Sequence, residues 1–388
     1  MKIAILGGGI GGLSAAIALK QKGFDVEVYE RHSQMSEIGA GIVCWPNASF
    51  VLQQLGVLKH VESVSGLLTK MKRFSSNGEV LGALDISALN QLMSYPSYSI
   101  YRKDLMAILT QRLLSLGIKI HYQHNVETLT KFGVKASVQF THGKSISPDV
   151  IVGADGRMLS ITRKYVNKNN APVYQGFINW IGTYESSQNT FSELIVSDYW
   201  GVGQRFGIVP VSKTKAYWAG GVIAKHIEKT NPDTYKPDLK SLFNTWPDII
   251  NQIIDESPSS SINKIYVHDH DPINHWHKDN VILMGDAAHS PLPTSGQGAC
   301  QALEDAWHFA NCLAENNANL AEIFKQFTAL RLSKTSGITM AGRQLASSIF
   351  NASAEYCQQR NIASQNTDYN AAVVGMAKSW SSGLPLSV

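Results

Sequence analysis

The sequence predicts an α/β fold, a Rossmann-like nucleotide-binding domain interrupted by an antiparallel sheet and closed by C-terminal helices. Three observations carry that prediction. A glycine string lies between a strand and a helix within the first thirty residues. A helix-free stretch rich in aromatic and β-branched residues spans 174–223, and long helical periodicity returns after residue 298.

Taken in order, Lys2–Leu6 is a short apolar run, Leu13, Ala16 and Ile17 mark one helical face, and Asp25–Tyr29 alternates as a second strand. The chain therefore opens with a βαβ unit. Residues 102–116 carry helical periodicity, and 119–122, 136–140 and 150–152 read as further strands. From 174 to 223 the chain is aromatic and β-branched with Gly and Ser-Lys-Thr punctuation, and no helix is signalled before Asp238, so this stretch reads as an antiparallel sheet. Residues 280–284 follow as a buried strand, 298–315 as a helix and 320–350 as largely helical, while the Ser-, Asn- and Gly-rich tail beyond Ala363 carries little signal. The expected domains are 1–170, resuming at 275–330, for the nucleotide; 171–274 for a substrate sheet; and 331–388 for a C-terminal helical segment and tail.

Composition narrows the function. With 388 residues, 44% apolar and 16% charged, the chain has the make-up of a soluble globular protein. Its 34 basic and 30 acidic residues are dispersed, so no basic block is available to track nucleic acid. Cys44, Cys300, Cys312 and Cys357 lie far apart without a CxxC pair, which argues against a disulfide framework or a metal site and favours reduced thiols in the cytoplasm. Glycines interrupt the apolar N-terminus before a signal-peptide core forms, and no run reaches membrane-spanning length. Neither a monomer nor a homodimer is favoured.

Within Gly7-Gly8-Gly9-Ile10-Gly11-Gly12, a GxGxxG pattern falls at Gly7, Gly9 and Gly12, directly after a strand and opening a helix, and Glu30 ends the next strand. The first glycine permits the tight turn, the second lets backbone approach a pyrophosphate, and the third lets helix pack on strand. An acid at Glu30 suits ribose hydroxyls and opposes a 2'-phosphate, so FAD or NAD is expected. Gly201, Gly203 and Gly207 are spaced similarly, but no helix follows them and they read as turn glycines. With no second fingerprint, a nicotinamide would have to visit without a domain of its own.

Two further segments choose between the dinucleotides: Asp149-Val-Ile-Val-Gly-Ala-Asp155-Gly156-Arg157 with Ser160 and Arg163, and Gly285-Asp286-Ala-Ala-His289-Ser-Pro-Leu-Pro293-Thr-Ser-Gly296-Gln297-Gly298. Together with the N-terminal glycines they resemble the signatures of the flavin aromatic hydroxylases, the group that includes para-hydroxybenzoate and salicylate hydroxylases, over roughly residues 1–330. One departure is Cys300, where the family often has Asn. The resemblance implies a para-hydroxybenzoate hydroxylase-like fold, FAD as cofactor, NAD(P)H as co-substrate, and oxygen transfer from O2 to a small aromatic or heteroaromatic substrate through a flavin C4a-hydroperoxide. It assigns cofactor binding to Gly7, Gly9, Gly12, Glu30, Arg31, Arg102, Asp155, Gly156, Asp286, Pro293, Gly296, Gln297 and Gly298, with Asp155 implicated in both FAD and NAD(P)H contacts.

Asp286 closes a strand at the carboxyl edge of the sheet, where ligands bind in open α/β folds, and the Pro293–Gly298 loop enters a helix whose positive end suits a negative charge on reduced flavin. A tight strand-to-helix turn with a capping aspartate would look the same. On the substrate side, Arg205-Phe-Gly-Ile-Val-Pro210-Val and Tyr217 resemble a subgroup containing bacterial FAD-dependent urate hydroxylase and alkylquinolone hydroxylases, which nominates Arg205 and Tyr217 as catalytic residues. Plainer readings are a strand-edge arginine and a core tyrosine. His289 reads as structural. Rival functions are a flavin reductase or dehydrogenase on the same fold without oxygen insertion, and a catalytically silent FAD-binding regulatory module.

Overall fold

The computed structural model describes residues 1–35, 40–133, 135–168, 171–315, 319–386 and 388. Its first layer is a six-stranded sheet in the order His277–Lys278, Val281–Leu283, Val150–Gly153, Lys2–Leu6, Asp25–Tyr29, Lys119–His121, parallel except for the His277–Lys278 edge. Central strands such as Ile3–Leu6 and Val150–Gly153 are buried throughout, as strands covered on both faces must be. Helix Ile10–Gln21 lies on this sheet through Leu13, Ala15, Ala16, Ile17 and Leu19, and its small residues let helix Gly298–Glu315 pass close, with Ala302 beside Gly11.

The second layer is a seven-stranded sheet in the order Asn263–Asp269, Val173–Glu185, Lys215–Ile223, Gln204–Pro210, Ile195–Trp200, Lys70–Ser75, Val80–Asp85. Here the two-residue period of a strand divides function between its faces. Trp180, Tyr184, Phe206 and Trp218 point outward, Phe206 stacking on Trp218 at 5.4 Å, and are covered by helices Tyr235–Phe243 and Asp248–Glu256. The alternate residues Arg205, Gly207 and Val209, with Tyr217, Ala219 and Gly221 on the neighbouring strand, face the other way, towards the nucleotide-binding layer.

The expected sheet segment of 171–274 is therefore incomplete, because strands Lys70–Ser75 and Val80–Asp85 from the first part of the chain complete it, the former pairing in parallel with Ile195–Trp200. The decoy glycines Gly201 and Gly203 sit where Ile195–Trp200 turns back into Gln204–Pro210, Gly203 at a left-handed φ of 64°. Helix Leu320–Ile349 runs along the side of the molecule, followed by Ala354–Gln365 and, in the tail that carried little signal, Tyr369–Ser381, whose N-cap Asp368 accepts from the Ala371 amide at 3.0 Å. Among the described residues no helix is long and apolar enough to cross a membrane, and no cluster of His, Cys, Asp or Glu could hold a metal.

Candidate cofactor and substrate site

Strands Lys2–Leu6, Asp25–Tyr29 and Val150–Gly153 deliver their carboxyl ends to one cleft, lined by Gly7, Gly9, Glu30, Arg31, Arg102, Asp155 and Gly156. Each fingerprint glycine has its own cause. Gly7 has φ 115°, and a side chain there would strike the Ala154 carbonyl; one at Gly12 would strike the Gly7 carbonyl. At Gly9, by contrast, no protein atom lies within 4 Å of the missing Cβ. The space is open towards the cleft at a helix N-terminus, which is the arrangement a pyrophosphate needs.

Glu30 is buried, its Oε2 accepting from the Gly8 amide at 2.7 Å and its Oε1 from the His32 amide at 2.9 Å, with the His32 ring Nδ1 at 2.7 Å. The backbone thus fixes a carboxylate at the cleft wall. Arg31 is exposed at the rim. Arg102 opens helix Arg102–Ser115 and lines the cleft; burial lowers its pKa while the Asp286 carboxylate opposes that shift.

Asp155 is placed at the cleft, but its carboxylate turns to its own loop. It accepts from Ser160 Oγ at 2.6 Å, from the Thr162 amide at 3.0 Å and from Thr162 Oγ1 at 2.5 Å, and burial raises its pKa despite these bonds. Its carboxylate therefore organises the turn that carries Gly156 into helix Ile161–Val166. Arg163 in that helix is buried and donates to the carbonyls of Ala287 and Ala288 at 2.7 and 2.9 Å, joining the second motif to the third.

The third motif forms two short 3-10 turns, Gly285–Ala287 and Pro293–Ser295, before Gly296 at φ 62° releases the chain into helix Gly298–Glu315. Gln297 was expected to touch the cofactor, yet its side chain is 1% exposed and its Oε1 accepts from Asn47 and Gln301 at 2.9 and 3.0 Å. It holds the loop from behind. His289 pairs with Asp305 at 2.6 Å beside Trp276, a structural position. Cys300 is fully buried, its thiol directed at the Val43 carbonyl at 3.5 Å and its pKa pushed up to about 12 chiefly by burial, so it stays neutral.

On the second sheet, Arg205 Nε donates to Asp198 Oδ1 at 2.6 Å, and Asp198 Oδ2 accepts from Trp200 Nε1 at 2.9 Å. Tyr217 lies with its ring against Gly41, where any side chain would collide with it. Burial raises its phenol pKa well above the ordinary value, and the neighbouring thiols Cys44 and Cys300 act in the same direction. In the strand register Arg205 pairs with Gly221 and Val209 with Tyr217, while Gly207 pairs with Ala219 midway between them. Four residues at about 3.4 Å each separate the two side chains by about 14 Å along the strand, enough for a small planar ring between them. Gly207 has only the Ala219 carbonyl, at 4.0 Å, near its missing Cβ, so the sheet between the two residues presents a bare floor.

The FAD binding domain family matches residues 1–322 of this chain. The chain belongs to that family. Aurachin C monooxygenase/isomerase of Stigmatella aurantiaca is 31% identical over 339 residues, 86% of this chain and 86% of the relative. FAD-dependent urate hydroxylase of Mycolicibacterium vanbaalenii is 32% identical over 333 residues, 83% and 82% of the two chains. Klebsiella pneumoniae HpxO in complex with FAD and uric acid superposes with a TM-score of 0.91 at 26% identity, covering 99% of this chain and 97% of HpxO. The para-hydroxybenzoate hydroxylase-like α/β fold and FAD as its cofactor follow for this flavoprotein, whose relatives are aromatic-ring monooxygenases and hydroxylases.

Sequence reasoning missed Asp198, Trp45, Asn47 and a buried ion cluster behind the Pro293–Gly298 loop. In that cluster Arg331 donates to Asp305 at 2.7 Å and to Glu304 at 2.5 Å, every one of these side chains being wholly buried. Asp305 also accepts from the Gly285 amide at 2.8 Å, which ties the cluster to the loop carrying Asp286. Two adjacent carboxylates in the otherwise apolar run Ala302-Leu303-Glu304-Asp305-Ala306 were the available signal, since buried charges demand partners.

Proposed function

We propose that this flavoprotein is an NAD(P)H-consuming monooxygenase that places one atom of O2 on a small planar heteroaromatic ring held between Arg205 and Tyr217. The observation that carries the reading is the bare Gly207–Ala219 floor, with a cation at one end and a buried phenol against Gly41 at the other. Uric acid in HpxO and the ring compounds in the names of the other relatives support the same substrate class.

Bound FAD supplies the electron relay from the nicotinamide and the activation of O2. Glu30 would hold the ribose hydroxyls and the Gly7–Gly12 turn the pyrophosphate, with Arg102 at the cleft and Asp286 as further holders of the cofactor. The N-terminus of helix Gly298–Glu315 favours negative charge on the reduced ring. Asp198 occupies Nε of Arg205, so the terminal amino groups of the guanidinium serve the substrate, stabilising an electron-rich ring through charge-assisted hydrogen bonds. Tyr217 stays protonated at every working pH; it donates a hydrogen bond and orients the ring, and it is not the base. The nicotinamide enters from solvent, there being no second nucleotide fingerprint. Four free, buried cysteines support a cytoplasmic setting, with the enzyme acting as a monomer or homodimer.

The deciding experiment screens heteroaromatic compounds for stimulated NADH or NADPH oxidation and then repeats the reaction under 18O2. One labelled oxygen per product molecule is expected. Substrate-dependent donor oxidation with no label in the product overturns the reading in favour of hydride transfer.

A further inference from the structure

We infer that the last helix, Tyr369–Ser381, is a clasp on the flavin-facing loop, and that Lys334 and Trp380 are positioning residues for the bound cofactor. Two independent routes lead from this helix to adjacent residues of the loop. In the first, Lys334 on helix Leu320–Ile349 reaches the end of the clasp, its ammonium donating to the carbonyls of Trp380 and Ser382 at 2.7 and 2.9 Å. The same ammonium donates to both oxygens of Glu304, at 3.0 and 2.8 Å. Glu304 Oε1 accepts from Asn47 Nδ2 at 2.7 Å, and Asn47 Nδ2 in turn donates to Gln297 Oε1. In the second route the Trp380 ring lies 5.1 Å from the Trp45 ring, and Trp45 Nε1 donates to the Gly296 carbonyl at 2.9 Å.

The chemistry suits a fixed latch. Helix C-terminal carbonyls carry partial negative charge and attract a cation. A solvent-exposed lysine could meet them cheaply, whereas Lys334 is only 7% exposed and is retained in the interior because it joins those carbonyls to a wholly buried carboxylate. Trp45 and Asn47 flank Pro46 at the start of helix Pro46–Gln54, so both routes converge on one rigid corner behind Gly296 and Gln297. A loop held in this way does not have to be ordered by the cofactor, and the saving appears as affinity and as a fixed electrostatic setting for the flavin.

Lys334→Met, Trp380→Ala and Trp45→Phe, the last removing the donor to Gly296 together with part of the ring packed on Trp380, are compared with Lys334→Arg and Trp380→Phe as conservative rescues. Apoprotein is titrated with FAD, and the visible spectrum and midpoint potential of the bound flavin are recorded beside the melting temperature. FAD affinity is expected to fall about tenfold or more in Lys334→Met and Trp380→Ala and by less in Trp45→Phe, with altered spectrum and potential, and to recover partly in the rescues. Parent affinity, spectrum and potential in folded Trp380→Ala and Trp45→Phe overturn the inference, and these two decide even if Lys334→Met does not fold, because both leave the ion cluster intact.

Discussion

Replacing Arg331 with methionine keeps the aliphatic stem and removes the cation shared by Glu304 and Asp305. Arg331 also donates to Gln301 Oε1 at 2.6 Å and to the Gln301 carbonyl at 3.2 Å, so four acceptors lose a partner at once. Removing one member of a buried pair costs about 3–5 kcal/mol, most of it the penalty of the stranded charge. Lys334 still compensates Glu304, and Asp305 keeps His289 and the Gly285 amide, which puts the expected loss near the lower bound. At about 2 °C per kcal/mol, the low end for larger domains, the FAD-saturated protein should melt roughly 6 °C lower in scanning calorimetry. The double variant Arg331→Met with Asp305→Asn should recover part of that loss, because the neutral amide no longer strands a charge. A single variant melting within about 1 °C of the parent, or a double variant showing the sum of two losses, would refute this account of the cluster.

Burial alone would raise the Asp305 carboxyl, but His289, Arg331 and their hydrogen bonds outweigh it and hold it at about 2. Its folded pKa lies below its unfolded one, so its stabilisation is present above about pH 4 and lost as pH falls from there towards 2, which acid titration of ellipticity will follow; Arg331→Met should weaken that dependence. Gly9→Ala should leave the apoprotein's melting temperature unchanged while weakening FAD binding, whereas Gly12→Ala, which collides with the Gly7 carbonyl, should destabilise the apoprotein by about 1–3 kcal/mol; equal effects would contradict the assignment of open space at Gly9. Glu30→Ala should weaken FAD retention without unfolding the chain, as dialysis of the holoprotein would reveal. Arg205→Ala should keep FAD and lose about 1.5–3 kcal/mol of transition-state stabilisation, seen as kcat/KM for substrate-stimulated donor oxidation, with Tyr217→Phe losing less; full activity in Arg205→Ala would make it a sheet-edge arginine.

The nucleotide end of the site was legible because most of its constraints are local: Gly12 is forced by the Gly7 carbonyl five residues earlier, Gly7 by its own positive φ, and Glu30 ends the strand that follows, although the Ala154 carbonyl that also excludes a side chain at Gly7 lies far along the chain. Motifs fixed positions better than orientations. Asp155 and Gln297 stand where the fingerprints put them, yet their side chains serve Thr162 and Asn47, partners no spacing rule specifies. Strand Lys70–Ser75 went unread although Val80–Asp85 pairs with it close by in sequence, because its other partner begins at Ile195 and its sequence, Lys-Met-Lys-Arg-Phe-Ser, carries three cations as a solvated surface would. Arg331 lies 26 residues from Asp305 and on another helix, so helical periodicity could not announce the pair. Asp198 was within reach: once Gly201 and Gly203 are read as a hairpin turn, Trp200 falls opposite Arg205 and Asp198 falls on the same face.

The interleaving of the two sheets bears on how such a protein can change its substrate over evolutionary time. Because Lys70–Ser75 and Val80–Asp85 close a sheet whose other strands begin only at Val173, no short continuous stretch of gene encodes this layer. A recombination that imported residues 171–274 from a homologue would arrive without two of its strands and would meet a foreign edge along Ile195–Trp200. Exchange of whole cassettes is thus closed to this scaffold. New specificities have to accumulate one side chain at a time on the floor around Gly207 and Ala219, where a single methyl group is enough to reshape the space offered to a ring.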